Sequence, residues 1–224
     1  DKGGRFEPMN TLSSEVVRKV TKKTRYRDYS PDQVLLGMIL YPEAWRGEPL
    51  FKIRNPELHR LIGYRGEMVS FNDLMDSTGN AYLLTEHVNA AYSKEVPDQT
   101  ELDKEVIKLD DRINALFLVQ SGSLLRILPD PGAENHRWAS VYEARTGKMQ
   151  QQNDTMATVF LRYLNAVQRG EYSAARSHLE TLHDNQIAGE ELLPSPARKK
   201  TEILYNRIDI FPRLCLLYTS DAAD

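Results

Sequence analysis

The sequence predicts a mainly α-helical fold: an irregular helical domain around one long central helix, followed by a C-terminal helical hairpin. Three observations predict it. Apolar residues recur at spacings of three and four from Thr100 to Leu128; capping residues stand directly ahead of several amphipathic runs; and only Pro49 to Arg54, PLFKIR, reads as extended.

Asp1 to Pro8 is a polar lead-in containing glycine, and PMNTLSSEVVRKVTKKT then predicts a helix. Asn10 or Thr11 caps it, and Leu12, Val16, Val17 and Val20 form its apolar face. Six of the ten residues from Arg18 to Arg27 are basic. They read either as a solvated helix end whose cations complement the negative C-terminal pole, or as a contact for lipid headgroups or an acidic partner.

Ser30-Pro31-Asp32 starts the next helix, with Val34, Leu35, Met38 and Ile39 on one face and an end near Pro42. Asn55-Pro56 opens a short helix through Leu61, and Gly63 and Gly66 bracket a loop. Ser70 to Asp73 again has cap chemistry, and Thr78-Gly79-Asn80 marks a turn. Ala81 to Ser93 predicts an amphipathic helix leading to the spine.

The spine, Thr100 to Leu128, carries Leu102, Val106, Leu109, Ile113 and Leu116 on one stripe, widened by Ile107, Phe117, Leu124 and Leu125. Asp103, Lys104, Lys108, Asp111 and Arg112 are expected on the opposite, solvated face. Thr100 with Asp103 forms an acidic version of the capping box, and Pro129 with Pro131 stops the helix. About 28 residues would span roughly 42 Å.

The stretch PDPGAENHRWASVYEARTGK is expected to be a long loop ordered by Trp138. Met149 to Gln168 and Ser173 to Asp184 then predict two helices broken by Gly170-Glu171-Tyr172. The run AVQRGEYSAARSHLE has the small-residue grammar of a tetratricopeptide-like hairpin, although any tight helical hairpin favours a glycine there. Leu193 to Pro196 is a linker, and Ala197 to Ile210 is the last predicted helix.

Composition narrows the function. The 224 residues are 41% hydrophobic, and no apolar run approaches the length of a membrane span. The last ten residues, CLLYTSDAAD, match codon for codon the translation of a sequencing-library transposase adapter, TGT CTC TTA TAC ACA TCT GAC GCT GCC GAC, and are expected not to be native; a natural polar tail is the alternative. Setting them aside removes Cys215, the sole cysteine, and leaves 29 basic against 30 acidic residues once Asp221 and Asp224 leave the 32. That near-neutral balance argues against a dedicated nucleic-acid binder. The absence of other cysteines excludes disulfides, cysteine–zinc sites and thiol catalysis. Asp1 is not an initiator methionine, so the chain is expected to be a fragment of a longer one. The expected organisation is a helical domain over 1–147, a hairpin plus final helix over 148–214 leading toward a membrane span, and the adapter-derived tail over 215–224.

No catalytic or metal-binding motif stands out. His178 and His183, five apart, lie about 140° apart on a helix and cannot share a metal from one face. No phosphate-binding glycine loop or nucleophile elbow occurs. Asp110-Asp111 and Glu190-Glu191 are expected to point apart as solvated acids. The cluster Asn135-His136-Arg137-Trp138 is the candidate partner-binding site. It joins an amide, a titratable ring, a fixed cation and a large aromatic, suited to a haem propionate or a peptide carboxylate. In the alternative reading, Trp138 pins the loop to the helical core.

Five blocks together carry a family resemblance: GRFEPMNTLSSEVVRK (Gly4 to Lys19), YSPDQVLLGMILYPEAW (Tyr29 to Trp45), DKEVIKLDDRIN (Asp103 to Asn114), LRILPDPGAENHRWAS (Leu125 to Ser140) and TEILYNRIDIF (Thr201 to Phe211). In order and over nearly all of Gly4 to Leu214, they resemble the extracytoplasmic region of the fused cytochrome c biogenesis proteins of Bacteroidetes-type bacteria. In those proteins a ResB-like and a CcsA-like part share one polypeptide, the system II cytochrome c synthase.

The resemblance implies haem delivery and covalent haem attachment to apocytochrome c by the whole protein, at the inner membrane with this region on the periplasmic side. Its implied partners are apocytochrome c and the membrane-embedded parts of the same synthase, not nucleic acid, and its membrane contact runs through flanking spans. Phe211-Pro212-Arg213 is the interfacial punctuation expected before such a span. The family's tryptophan-rich haem motif and haem-ligand histidines match no position here, so no cofactor is assigned to this region and no haem ligand to His59, His87, His136, His178 or His183. The region itself is expected to be non-catalytic. Two competing classes are a free-standing tetratricopeptide-like interaction module, and an enzyme using His136 with Asp130 or Glu134 in acid-base work.

Overall fold

Ser30 shows how the helices begin. Its backbone is extended, its hydroxyl accepts from the Gln33 amide, and the Gln33 side chain accepts from the Ser30 amide, a complete capping box ahead of Pro31. Asn55 does the same with one side-chain oxygen, which accepts from the amides of Glu57 and Leu58 at 2.8 and 3.2 Å. The computed structural model describes residues 6–79, 81–130, 137–147, 151–189 and 193–208. Among these the architecture is mainly helical, with two small two-stranded antiparallel sheets. The predicted fold class is thus the observed one. The chain divides into two compact units, one of Val16–Gln120 and one of Asp1–Glu15 with Ser121–Asp224.

The Val16–Gln120 unit holds the C-terminal part of α1 (Met9–Thr21), then α2 (Pro31–Leu40), α3 (Pro42–Arg46), α4 (Pro56–Ile62), α5 (Thr85–Tyr92) and α6 (Glu101–Gln120). Strands β1 (Phe51–Lys52) and β2 (Met68–Val69) pair antiparallel, Phe51 opposite Val69. Val17, Val20, Val34, Met38, Leu50, Phe51, Leu58, Leu84 and Leu116 are among its buried side chains. Helix α5 packs along α6, so the amphipathic helix predicted within Ala81 to Ser93 and the spine form a pair. One detail differs from expectation: α5 starts at Thr85, because Ala81 to Leu84 fold as a turn; the loop expected between Gly63 and Gly66 is present, and β2 follows it at Met68.

The spine is shorter than predicted. Helix α6 ends at Gln120; Gly122 follows in the left-handed region at φ 77°, and Arg126–Pro129 is strand β3. Its apolar period continues past Gln120 by coincidence with strand alternation, and a glycine is the residue that tolerates the left-handed turn. The polar face was also misassigned at two positions. Asp103 and Arg112 are buried, while Phe117, expected in the apolar stripe, is 56% exposed.

Arg112 is buried because it has polar partners throughout. Its guanidinium donates to the carbonyls of Val20, Leu50 and Lys52 at 2.9, 3.1 and 3.4 Å, and lies over the Phe51 ring at 5.2 Å. Asp103 accepts from the Thr100 amide and hydroxyl at 2.8 and 2.7 Å, and from Lys94 at 2.7 Å. The acidic capping box therefore forms as predicted, with an added cation. Ser70 and Asp73 repeat the arrangement one segment earlier.

The other unit contains β3 (Arg126–Pro129), β4 (Trp138–Ser140), α7 (Val141–Arg145), α8 (Gln151–Gln168), α9 (Tyr172–Ala188) and α10 (Pro196–Ile208). Strands β3 and β4 pair antiparallel with a bulge between Arg126 and Leu128. Helices α8 and α9 pack as the predicted hairpin around Gly170, whose φ is 73°. The buried residues Ala157, Phe160, Ala166, Ala175 and Leu182 form its inner face. The Thr11 hydroxyl donates to Glu202 of α10 at 2.8 Å.

Candidate functional site

The stretch around Trp138 is structured where the sequence predicts a loop. Trp138 lies in β4, is 7% exposed, and meets the Phe6 ring at 5.0 Å between centroids with the planes tilted by 51°. β4 runs into α7 through Ser140. The Ser140 hydroxyl accepts from the Glu143 amide at 3.1 Å, and the Glu143 carboxylate accepts from the Ser140 amide at 2.8 Å, another complete capping box.

Glu143 also gathers two guanidiniums. Arg137 bonds directly to it, and Arg126 lies 3.6 Å away while donating to the Trp138 carbonyl at 3.2 Å. Burial works to raise the Glu143 carboxyl, but the Ser140 hydrogen bonds and both arginines outweigh it and hold it below its ordinary value. The result is a fixed arrangement: a buried aromatic, a strand, a capped helix start, and an Arg137 side chain that remains 55% exposed. A guanidinium has five donors, so Arg137 retains capacity for a further carboxylate beyond Glu143.

Of the four predicted site residues, the structure brings Arg137 and Trp138 together on β4 and its approach; Asn135 and His136 lie outside the described residues. Sequence reasoning missed Arg126, Ser140 and Glu143. The Ser-x-x-Glu spacing of Ser140 and Glu143 was a readable signal for a helix start at Val141. The Phe6 contact, 132 positions away by residue number, had no local signal.

A second polar cluster lies on α5 and α6 in the other unit. Burial, then the neighbouring Asp111, pushes the Asp110 carboxyl up, and Tyr92 partly offsets this by hydrogen bonding. The Tyr92 phenol is raised by burial first and then by Asp111 and Asp110. Asp111 pairs with Lys19 at 2.8 Å. Asp110 is thus half-buried rather than the solvated acid expected. Among the described residues no group of three or more histidines, cysteines and acids is placed to hold a metal. His59 uses its Nδ1 locally, 2.9 Å from the Tyr64 carbonyl. No helix among the described residues is long and apolar enough to cross a membrane.

This geometry defines a class: a helical domain with a capped, arginine-braced strand-to-helix corner and a helical hairpin. No protein-family model matches the chain. Over 219 residues, 97% of the chain, it is 32% identical to Protein NrfI of Wolinella succinogenes, and it spans 24% of that protein's length.

Proposed function

We propose that this chain is an extracytoplasmic, non-catalytic portion of a membrane cytochrome c synthase of the fused ResB and CcsA type, on the periplasmic side of the inner membrane. It supports haem delivery and attachment by scaffolding the synthase or holding apocytochrome c near the haem site. The observation that carries this reading is the end-to-end similarity to about a quarter of a much longer protein, NrfI. Haem belongs to the remainder of the synthase in this reading. Two surfaces on this chain suit the holding role: the α8–α9 hairpin, where Tyr172 and Leu179 are exposed, and Arg137, paired with Glu143 and exposed next to buried Trp138 in the chain.

The test is deletion of residues 151–188 from the full-length membrane protein, with its membrane level followed by immunoblot and mature cytochrome c by haem-dependent peroxidase staining. A protein present at normal level with mature cytochrome strongly reduced is the expected result. Unchanged maturation would remove the scaffolding and holding roles. The Leu179→Asp substitution, on an exposed position, keeps the test meaningful if the deletion lowers the protein level.

A further inference from the structure

The segment Arg18 to Tyr29 carries six cations against one acid, Asp28, a charge of +5, so the rest of the chain carries −8 of the formal total of −3. Two of the six are neutralised: Lys19 pairs with Asp111 at 2.8 Å and Arg27 with Glu48 at 2.5 Å. Arg18, Lys22, Lys23 and Arg25 are exposed and, among the described residues, have no carboxylate at ion-pair distance.

The backbone beneath these four is fixed at several points. Arg112 holds the Val20 carbonyl at 2.9 Å, and the Thr21 hydroxyl donates to the Val17 carbonyl at 2.7 Å while accepting from the Lys23 amide at 3.2 Å. At the far end Tyr26 is buried against Trp45, 5.6 Å between centroids, and donates to Glu48 at 2.8 Å. Two cationic residues also occupy left-handed backbone, Lys22 at φ 60° and Arg27 at φ 52°. Glycine is the residue that suits such a helix-ending position, so Lys22 keeps its charge there against conformational preference.

We infer that this pinned cationic turn docks onto an anionic lipid surface. Three features favour lipid over an acidic protein. The free cations follow a helix end and a turn, spreading charge along the chain as a plane of phosphates requires. Two of them are lysines, point charges on flexible stems without the fixed fork used for a specific carboxylate. Tyr29, 49% exposed, closes the segment with the aromatic found at membrane interfaces. The inference rests on this unit's own charges and does not require the proposed synthase role.

The test is flotation of the full chain with vesicles of phosphatidylcholine alone, or mixed equally with phosphatidylglycerol, at low and high salt. Binding should require phosphatidylglycerol, fall with salt, and weaken about fivefold for each free cation removed. Lys22→Gly relieves the left-handed strain, so it should bind more weakly while unfolding at the same or a higher temperature. Lys23→Glu with Arg25→Glu should abolish flotation with the circular dichroism spectrum unchanged. Equal binding to both vesicle types, insensitivity to these substitutions, or retention on polyglutamate without vesicle binding would overturn the inference, the last making an acidic polypeptide the partner.

Discussion

The guanidinium of Arg112, on α6, donates to the carbonyl of Val20, at the end of α1, over 2.9 Å, and the same side chain reaches Leu50 at 3.1 Å. One arginine therefore satisfies backbone acceptors on two segments that are not joined by helix or sheet pairing. Burial lowers its pKa from the ordinary arginine value, and a guanidinium in a protein remains charged. Arg112→Met removes the donors and leaves these carbonyls buried, at about 1–3 kcal/mol for each acceptor not reached by water. A loss of about 3–5 kcal/mol in urea unfolding is expected. Arg112→Lys should lose nearly as much, since an ammonium cannot span acceptors set by a planar fork.

Leu116 and Phe117 are neighbours on α6 with opposite surroundings, 1% and 56% exposed. Leu116→Ala should cost about 2–5 kcal/mol by leaving a cavity. Phe117→Ala should stay within about 0.5 kcal/mol, as exposed substitutions do. Equal costs for the two would contradict the observed rotation of the spine.

Asp103 carries a pH signature. Hydrogen bonds from Lys94, then from Thr100, lower its carboxyl from the usual 3.8 to about 2. A depressed folded-state pKa stabilises the fold above the unfolded value, and that contribution is lost as pH falls through the folded one. Stability should therefore decline between about pH 4 and 2, and Asp103→Asn should flatten that part of the profile in urea midpoints measured across the range.

Local chemistry was legible and long-range burial was not. Ser30 with Gln33, Asn55 with Leu58, and Thr100 with Asp103 announce their helix starts within four residues of chain, and each forms. The glycine of the hairpin, Gly170, was equally readable. Arg112 was not, because its acceptors lie 92 and 62 positions away, and nothing in DKEVIKLDDRIN distinguishes it from a solvated arginine. The spine's end was missed because Leu124, Leu125 and Leu128 fit a helical stripe as well as a short buried strand, an ambiguity periodicity cannot resolve. At the candidate site the aromatic and Arg137 were found from composition, whereas Glu143, the acid that fixes Arg137, was hidden in an expected loop.

Gly122 and Gly170 share left-handed backbone, at φ 77° and 73°, but differ in surroundings. A Cβ at Gly122 would stand 3.4 Å from the Val141 Cβ, whereas nothing lies within 4 Å at Gly170. Gly170→Ala should cost about 1–2 kcal/mol from backbone preference alone. Gly122→Ala should cost at least as much, and its thermal unfolding should show the larger drop, because the added methyl presses on the first residue of α7.

Trp138 and Arg137 are adjacent in sequence, and their substitution separates support from recognition at the candidate site. Trp138 is 7% exposed and packed on Phe6, so Trp138→Ala should cost about 3–5 kcal/mol, with Trp138→Phe recovering part of the loss through the retained ring contact. Arg137 is 55% exposed and its pair with Glu143 sits at the surface, so Arg137→Ala should cost less than about 1 kcal/mol. The second variant therefore alters the proposed recognition surface while leaving the fold in place. Under the proposed role, Arg137→Ala in the full-length protein should lower the yield of mature cytochrome c without lowering the amount of that protein in the membrane. If maturation follows only the stability losses of the Trp138 variants and ignores Arg137→Ala, the corner serves to brace β4 and α7, and partner contact lies on another face.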